Sequence, residues 1–304
     1  MAFSLPPSNR SFSRRAFLRA GLFGAAGLAL YSGEIERHWI EVSEHECFLR
    51  GLPAAFDGRR FVQLSDIHLD AFTEPIFLRH AVGLVNRIKP DAIFLTGDFV
   101  TATLNPTPSS ARFARGAAWQ CANILTELEC RACYAVLGNH DVDVGAREVS
   151  AALEANGITV LRNAFVPIER AGSRIWLAGV DDPLTGHPDP EAAIPASICN
   201  VPNEPLVLLC HAPDYADQIL SYATGQAVDM MLSGHTHGGQ VRLPLFGPLA
   251  LPDMGRKYIE GWFRFGRLQL HVNRGIGTVG VPFRFDCPPE ISVITLRTAT
   301  GSSS

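Results

Sequence analysis

This chain is poor in charge. Only 18% of its 304 residues are Asp, Glu, Lys or Arg, against 47% apolar, a balance that excludes an intrinsically disordered chain and indicates a packed globular body. It also lacks a basic excess. The net charge is −4, and residues 1–33 carry Arg10, Arg14, Arg15 and Arg19 with no acid, so the remainder stands at −8 (−4 less the +4). A body that acidic has no cations to exchange for phosphate counterions, and nucleic acid is not an expected partner. There is no long apolar run at the amino end: Ala20 to Tyr31 is interrupted by Gly21, Gly24 and Gly27 and falls short of the ~20 residues that cross a bilayer. No His-Glu-x-x-His string is present, which sets aside zinc-peptidase cleavage. Gly275 to Gly280 is glycine-rich, but no Lys-Ser/Thr follows, so it reads as a structural turn and not as a phosphate-binding loop. Cys130-x-x-Cys133 has no second close pair, as a zinc ribbon needs, and seven cysteines are an odd number, so no disulfide pairing is assigned. Cys121, Cys130 and Cys133 lie on or beside apolar segments and read as buried small side chains. No internal repeat is found, and only the Gly-Ser-Ser-Ser end, within a flexible tail at 299–304, is of low complexity.

The amino terminus has the character of an address. Ser13-Arg14-Arg15-Ala16-Phe17-Leu18-Arg19, followed by the weakly apolar run, resembles a bacterial twin-arginine export signal. Residues 1–33 are therefore expected to be a signal or a weak membrane anchor. Gly27-Leu28-Ala29 is only a loose match for cleavage. Export by the twin-arginine machinery implies a periplasmic or other extracytoplasmic location, with membrane association left open. That route carries proteins already folded, so metal is loaded in the cytosol. There a weaker-binding ion such as Mn can be trapped before Zn or Cu competes for the site.

From about Glu34 to Gly58 the pattern is mixed and strand-like, with Leu52-Pro53 and Asp57-Gly58 as turns. Phe61 to Leu64 reads as a strand. Ile76 to Ile88 places Phe77, Leu78, Ala81, Val82, Val85 and Ile88 on one helical stripe, ended by Pro90. Ala92 to Leu95 is the next strand, Ala111 to Leu128 the next helix, and Cys133 to Leu137 a third strand. This βαβ order predicts a largely parallel sheet covered on both sides, with functional groups at the carboxyl ends of its strands. Further strands are expected at 175–178, 206–209, 228–232, 268–272 and 291–296. The last two have no helix between them, so the second half is expected to be more antiparallel.

Four strings at the ends of those strands carry hard or borderline metal donors: Asp66-Ile67-His68, Gly97-Asp98, Gly138-Asn139-His140-Asp141 and Gly234-His235-Thr236-His237. His211, in Cys210-His211-Ala212-Pro213, is a fifth. Seven oxygen and nitrogen donors (Asp66, His68, Asp98, Asn139, His211, His235 and His237) suffice for two divalent ions. Two ions about 3.5–4 Å apart clamp a phosphoryl group and activate a shared water. Such closeness needs a bridging anion, and Asp98, with two oxygens and a central position among the strings, is the natural one. His140 follows Asn139 directly and is expected to point towards substrate as an acid for the leaving oxygen, with Asp141 holding its imidazole. His38, His45, His80, His187 and His271 read as ordinary surface or hydrogen-bonded histidines.

Taken in order, from roughly Phe61 to Leu296, these strings resemble the signature of the calcineurin-like metallophosphoesterases. The resemblance implies an α/β fold, a sandwich of two β-sheets flanked by helices, over a domain of about 34–298. It assigns Asp66, His68, Asp98 and His237 to one ion, and Asp98, Asn139, His211 and His235 to the other, with His140 as catalytic acid. The activity implied is hydrolysis of a phosphoester, a phosphodiester first, by hydroxide shared between two divalent ions (Mn, with Fe, Zn or Mg as alternatives). Gly238-Gly239-Gln240 and Pro288-Pro289-Glu290 are similar to a bacterial exported or membrane-associated subgroup. Some of its relatives cleave the pyrophosphate of UDP-2,3-diacylglucosamine. A non-catalytic scaffold on the same fold is the remaining alternative, against which the complete donor set argues.

Leu243 to Met254, with Trp262, Phe263 and Phe265, is apolar for a loop beside an active site. It reads either as a rim for a lipid-linked substrate or membrane surface, or as a lid packed on its own domain. Arg284 is a candidate for a substrate phosphate or for a surface ion pair.

Overall fold

The computed structural model describes residues 14–103 and 107–299. Two six-stranded sheets face each other. The first runs β1 (Glu41–Leu49), β14 (Glu290–Thr298), β2 (Arg60–Leu64), β3 (Ala92–Leu95), β4 (Cys133–Ala135) and β5 (Thr159–Val160). All its neighbours are parallel except β14 and β2. The second runs β12 (Gly261–Phe265), β13 (Leu268–Val272), β9 (Met230–Ser233), β8 (Leu206–Leu209), β7 (Ser173–Gly179) and β6 (Ala164–Arg170).

Period-two alternation explains the layering. Phe61, Phe94, Val207 and Leu209 point between the sheets, where they meet Leu177, Met230, Leu232 and Ile294. Their neighbours Val62, Leu64, Ile93 and Leu95 point the other way, onto the helical stripes of α2 (Pro75–Ile88) and α3 (Pro108–Leu125) and onto α4 (Asn139–Ala155). On the far side, Leu206, Leu208 and Met231 pack under Tyr215, Ile219 and Tyr258. Strands buried on both faces read as unbroken apolar runs, which is why they were visible in the sequence.

Three expectations change. The second sheet is not mainly antiparallel: β13, β9, β8 and β7 are mutually parallel, and only the edge strands β12 and β6 run the other way. The return from β9 to β13 is made through loops, the short hairpin β10–β11 (Arg242–Leu243, Gly247–Pro248) and β12, so no helical pattern signalled the crossover. The third strand stops at Ala135. The donor string 138–141 then opens a helix, α4, that the sequence pattern hid. Its second turn is broken by Gly145 at φ 140°, and Asp141 and Asp143 interrupt the apolar stripe. α3 begins three residues earlier than the stripe indicated because Thr107 caps it, accepting from the Ser110 amide ahead of Pro108.

At the amino end α1 (Arg14–Leu30) leads through further helical residues to His38. Arg10 and Ser13 lie outside the described residues. No helix among those described is long and apolar enough to cross a membrane. Ser32 is buried and its carbonyl accepts from the Arg284 amide at 3.1 Å, while the Gly33 position abuts the Phe283 ring. Of the expected tail 299–304 only Ala299 is described, donating to the Leu49 carbonyl at 3.0 Å.

Candidate metal centre

The ends of β2, β3, β8 and β9 converge on one buried spot. What lets them converge is glycine. A Cβ on Gly97 would stand 2.6 Å from the Gly138 nitrogen, and one on Gly234 would stand 2.2 Å from Asp66 Oδ2. Backbone bonds then lock the loops together: Asp66 N–H donates to the Gly97 carbonyl, His68 N–H to the Asp98 carbonyl, and His235 N–H to the Asp66 carboxylate, each at 2.9–3.0 Å. Asp66, His68, Asp98, His235 and His237 all sit at φ between 47° and 71°. That left-handed region is unfavourable for residues with a Cβ, and such strain clusters at functional sites.

The donor atoms face one another in two groups. Asp66 Oδ1 lies 3.4 Å from His237 Nε2, which lies 3.1 Å from His68 Nε2. His211 Nε2 lies 3.1 Å from His235 Nδ1. Asp98 Oδ2 stands between the groups, 3.3 Å from His68 Nε2 and 3.2 Å from His211 Nε2. Asn139 Oδ1 is buried with no hydrogen-bond partner.

Hydrogen bonds on the outer nitrogens fix the tautomers. His68 Nδ1 is 3.2 Å from Thr101 Oγ1, and that hydroxyl is already donating to Asp70, so the ring donates here. His211 Nδ1 donates to the Thr96 carbonyl at 2.7 Å, and His235 Nε2 to the Asp253 carbonyl at 2.8 Å. In all three rings the lone pair is thereby left on the nitrogen facing the centre, the arrangement found in metal-bound histidine.

Charge points the same way. Asp66 and Asp98 are fully buried, and among the described residues no Lys or Arg pairs with either. Burial pushes the Asp66 carboxyl up, against the pull of His211 and His68. A buried carboxylate needs a compensating cation. Two divalent ions supply that charge and also a partner for the orphaned Asn139 oxygen. The donor set therefore fits two such ions, with Asp98 shared.

Two assignments of the sequence change. Asp141 does not hold His140. Its carboxylate accepts the amides of Asp98 (2.7 Å), Phe99 (2.8 Å), Val100 (3.3 Å) and Gly138 (3.0 Å), pinning the β3 loop to the start of α4. Burial, and then the Asp98 charge, push its carboxyl up to about 7. The His140 ring is oriented instead by the Ala102 amide, which donates to Nδ1 at 2.9 Å and leaves Nε2–H free to donate. Burial brings the His140 pKa down to about 4, so the imidazole is neutral at ordinary pH.

Arg284 meets neither solvent nor the site cavity. It is 0% exposed, its guanidinium donates to the carbonyls of Arg274, Gly275, Gly277 and Cys287, and its Nη2 lies 3.4 Å from His237 Nδ1. That strap in turn holds the Asp66 loop, through Ile276 N–H to the Ser65 carbonyl and Gly277 N–H to the Asp66 carbonyl.

A cavity of about 450 Å³ opens onto the centre, lined by Asp98, Asn139 and His140 and also by Leu249, Leu251, Pro252, Val279 and Val281. Val241 and Val281, which the sequence did not single out, are both part of that lining. The apolar loop is thus divided. Leu249 and Leu251 belong to the cavity, and Leu245 and Phe246 project at the hairpin tip, 103% and 84% exposed. Phe263 and Phe265 pack on Tyr258, and Trp262 stacks on His271, all away from it.

A two-sheet sandwich with seven carboxylate, amide and imidazole donors at its strand ends defines a metallohydrolase-type site. Comparison with known proteins agrees. Residues 59–239 match the calcineurin-like phosphoesterase family, and the chain belongs to it. It is 36% identical over 301 residues to the uncharacterized metallophosphoesterase YkuE of Bacillus subtilis (strain 168), covering 95% of this chain and 99% of that one. It is 32% identical over 294 residues to the phosphodiesterase YaeI of Escherichia coli (strain K12), covering 93% and 99%. A transmembrane protein with a metallophosphoesterase domain from Danio rerio is 31% identical over 271 residues, covering 85% of this chain and 58% of its own length. The chain is accordingly a metal-dependent phosphoester hydrolase of mixed α/β fold.

Proposed function

We propose that the chain is an exported phosphodiesterase that takes a lipid-linked substrate at a membrane surface. The observation that carries the hydrolytic part is Asp98 Oδ2, nearly equidistant from the nitrogens of two separate histidine groups. Asp66, His68, His237 and Asp98 would hold one ion, and Asp98, Asn139, His211 and His235 the other. Two divalent ions in those places neutralise phosphoryl oxygens and supply an activated water. His140, held by Ala102 N–H, presents Nε2–H to the leaving oxygen. Asp141 keeps Asp98 and the His140 turn in register. Thr96, Thr101 and the Asp253 carbonyl hold the histidine tautomers.

A diester has two substituents, and the cavity lining is mixed. It is polar at Asn139 and His140. It is also apolar at Leu249, Leu251, Val279 and Val281, which suits an acyl-bearing group. The apolar surface continues outward over Leu245 and Phe246. Tyr31 and Trp39, just past α1, share a cleft of about 600 Å³ with Pro244 of the hairpin. α1 itself exposes Phe17, Leu18, Leu22 and Phe23 beside Arg14, Arg15 and Arg19. Apolar side chains with flanking arginines favour an anionic bilayer surface. The Danio rerio relative, a transmembrane protein, supports the same side of the reading.

The test is hydrolysis of a bis-aryl phosphodiester by the full chain in detergent, before and after chelation, with Mn²⁺ then added back. Activity that disappears and returns is expected. A folded, metal-loaded chain with no diesterase activity would overturn the reading. For export, Arg14→Lys with Arg15→Lys is expected to leave a fused reporter in the cytosol, and unchanged export would refute the signal.

A further inference from the structure

A second group of metal-type side chains lies apart from the seven donors. His45 on β1, His271 on β13 and Glu290 at the start of β14 bring one imidazole nitrogen each and a carboxylate oxygen within 4.8 Å of one another. His45 Nε2 is 4.0 Å from Glu290 Oε1, and the two rings are 5.0 Å apart.

His271 makes this more than a chance grouping. It is 0% exposed, and its Nε2 has no hydrogen-bond partner. The tautomer is forced from behind. The Gln63 amide NH₂ donates to Thr96 Oγ1 (3.0 Å) and to the Ser233 carbonyl (2.8 Å), so its Oε1, 2.9 Å from His271 Nδ1, must accept. Nδ1 therefore carries the proton, and Nε2 presents a bare lone pair into the cluster. A buried acceptor left unmet is destabilising, because it has lost water and gained no donor in exchange. An imidazole whose far N–H is fixed by an amide oxygen is the form that binds a metal.

The surroundings suit a cation. Glu290 uses Oε2 for Arg274, through its amide at 3.0 Å and Nε at 3.3 Å, while Oε1 accepts from the Ser43 hydroxyl. That hydroxyl lies 3.1 Å from His45 Nε2 and accepts from it, so an ion would take the place of Ser43 at His45 and leave the ring proton on Nδ1. Arg274 is itself neutralised by Glu41 at 2.7 Å. The Trp262 ring closes one side, 4.7 Å from the His271 ring and 5.9 Å from the His45 ring. The His45 side chain is 26% exposed and gives a way in from solvent.

We propose that His45, His271 and Glu290 bind one borderline divalent ion of the zinc class, a third metal site separate from the two-ion centre. Two imidazoles and a carboxylate are a zinc-type donor set, with a fourth position for water. The ion clips β1 and β14 of the first sheet to β13 of the second. The role is structural, because the cluster does not line the cavity that opens onto Asp98 and His140.

The test is metal counting on the full chain, stripped by chelation and reloaded with Zn²⁺, then desalted. Wild type is expected to retain three equivalents, whereas His45→Ala and His271→Gln retain two and keep hydrolysing a bis-aryl diester in Mn²⁺. Melting supplies a second reading: at a hundredfold excess of Zn²⁺ over Kd, the third equivalent raises Tm by about 4 °C, and His45→Ala lacks that step. His45 is partly exposed, so its removal spares the fold even if His271→Gln does not fold. Two equivalents in wild type would mean that water satisfies His271 Nε2 and would overturn the site. So would three equivalents in His45→Ala.

Discussion

Replacing Arg284 by Met separates a structural arginine from one that meets substrate. The guanidinium is wholly buried and donates to four main-chain carbonyls, those of Arg274, Gly275, Gly277 and Cys287, with Nη2 also 3.4 Å from His237 Nδ1. Burial holds its pKa below the usual arginine value, and no carboxylate pairs with it among the described residues. Methionine approximates its length and donates nothing. At about 1 kcal/mol net for each carbonyl left without its donor, the loss is about 4 kcal/mol. Relief from no longer burying a cation returns part of that, leaving about 3 kcal/mol. A domain of this size unfolds with an entropy near 0.6 kcal/mol per degree, so Tm should fall by about 5 °C. The strap at 274–277 also carries the Asp66 loop, and a Gly275 Cβ would stand 2.5 Å from Asp66 Cβ. Loosening it should weaken Mn²⁺ binding by about tenfold or more. Arg284→Lys should fall between, because an ammonium cannot span the four acceptors. Differential scanning fluorimetry and a chelator competition read both effects. An unchanged Tm with KM raised tenfold and kcat intact would refute the reasoning and return Arg284 to the substrate.

Other variants sort the remaining roles. His140→Ala should lower kcat by about 10²–10⁴-fold with Tm unchanged, as measured on the bis-aryl diester. A fall in Tm of several degrees would make the residue structural. Asp141→Asn should do the opposite, costing about 3 kcal/mol of stability in urea titration, because its amide NH₂ would face backbone donors. Phe246→Ser with Leu249→Ser should cut turnover of a lipid-bearing diester about tenfold while sparing the bis-aryl ester, and equal loss on both would remove the apolar rim. For pH, burial raises the Asp181 carboxyl, but the Arg162 guanidinium at 2.8 Å and the His187 amide outweigh it and hold the folded pKa below the ordinary Asp value. A depressed folded pKa means stability that is present above the ordinary Asp range and lost as pH falls through the folded value. Arg162→Met should therefore flatten the acid limb of a stability profile below about pH 4. An unaltered slope there would show that the pair contributes nothing.

Strand ends were legible in the sequence because doubly buried parallel strands are short apolar runs, and the donors follow them within four residues. Three of the five donor loops also carry a glycine, Gly97, Gly138 and Gly234, since two loops cannot approach within 3 Å at a position that bears a Cβ. Other features needed three dimensions. Asp141 looked like a partner for His140 because they are adjacent, yet successive residues at the start of a helix point about 100° apart. Its carboxylate reaches amides of β3 instead, some forty residues away. Arg284 lies between Phe283 and Phe285, just past the glycine-rich turn 275–280, where a lone arginine reads as surface, and only the folded strap shows that carbonyls surround it. His45, His271 and Glu290 are separated by 226 and 19 positions. Nothing local marks them, and the clue, an unmet nitrogen, exists only once Gln63 has been placed.

The two sheets do not contribute equally to the centre. Asp66, His68, Asp98 and Asn139 follow strands of the first, while His211, His235 and His237 follow strands of the second. An ion pair there would tie the sheets at their carboxyl ends, and a site that forms only on metal binding would couple folding to metal. The hydrogen bonds argue otherwise. The Asp66 carboxylate already holds the His235 amide, Asp141 already holds four amides, and three of the four donor imidazoles already have their outer nitrogens fixed by protein oxygens. The left-handed backbone at five donors is thus maintained by the protein itself. Removing metal should leave a folded chain with a formed site, so activity lost to a chelator should return within the mixing time of added Mn²⁺. Recovery that waits on a slow phase, or needs denaturant and refolding, would show that the ions build the site instead of filling it.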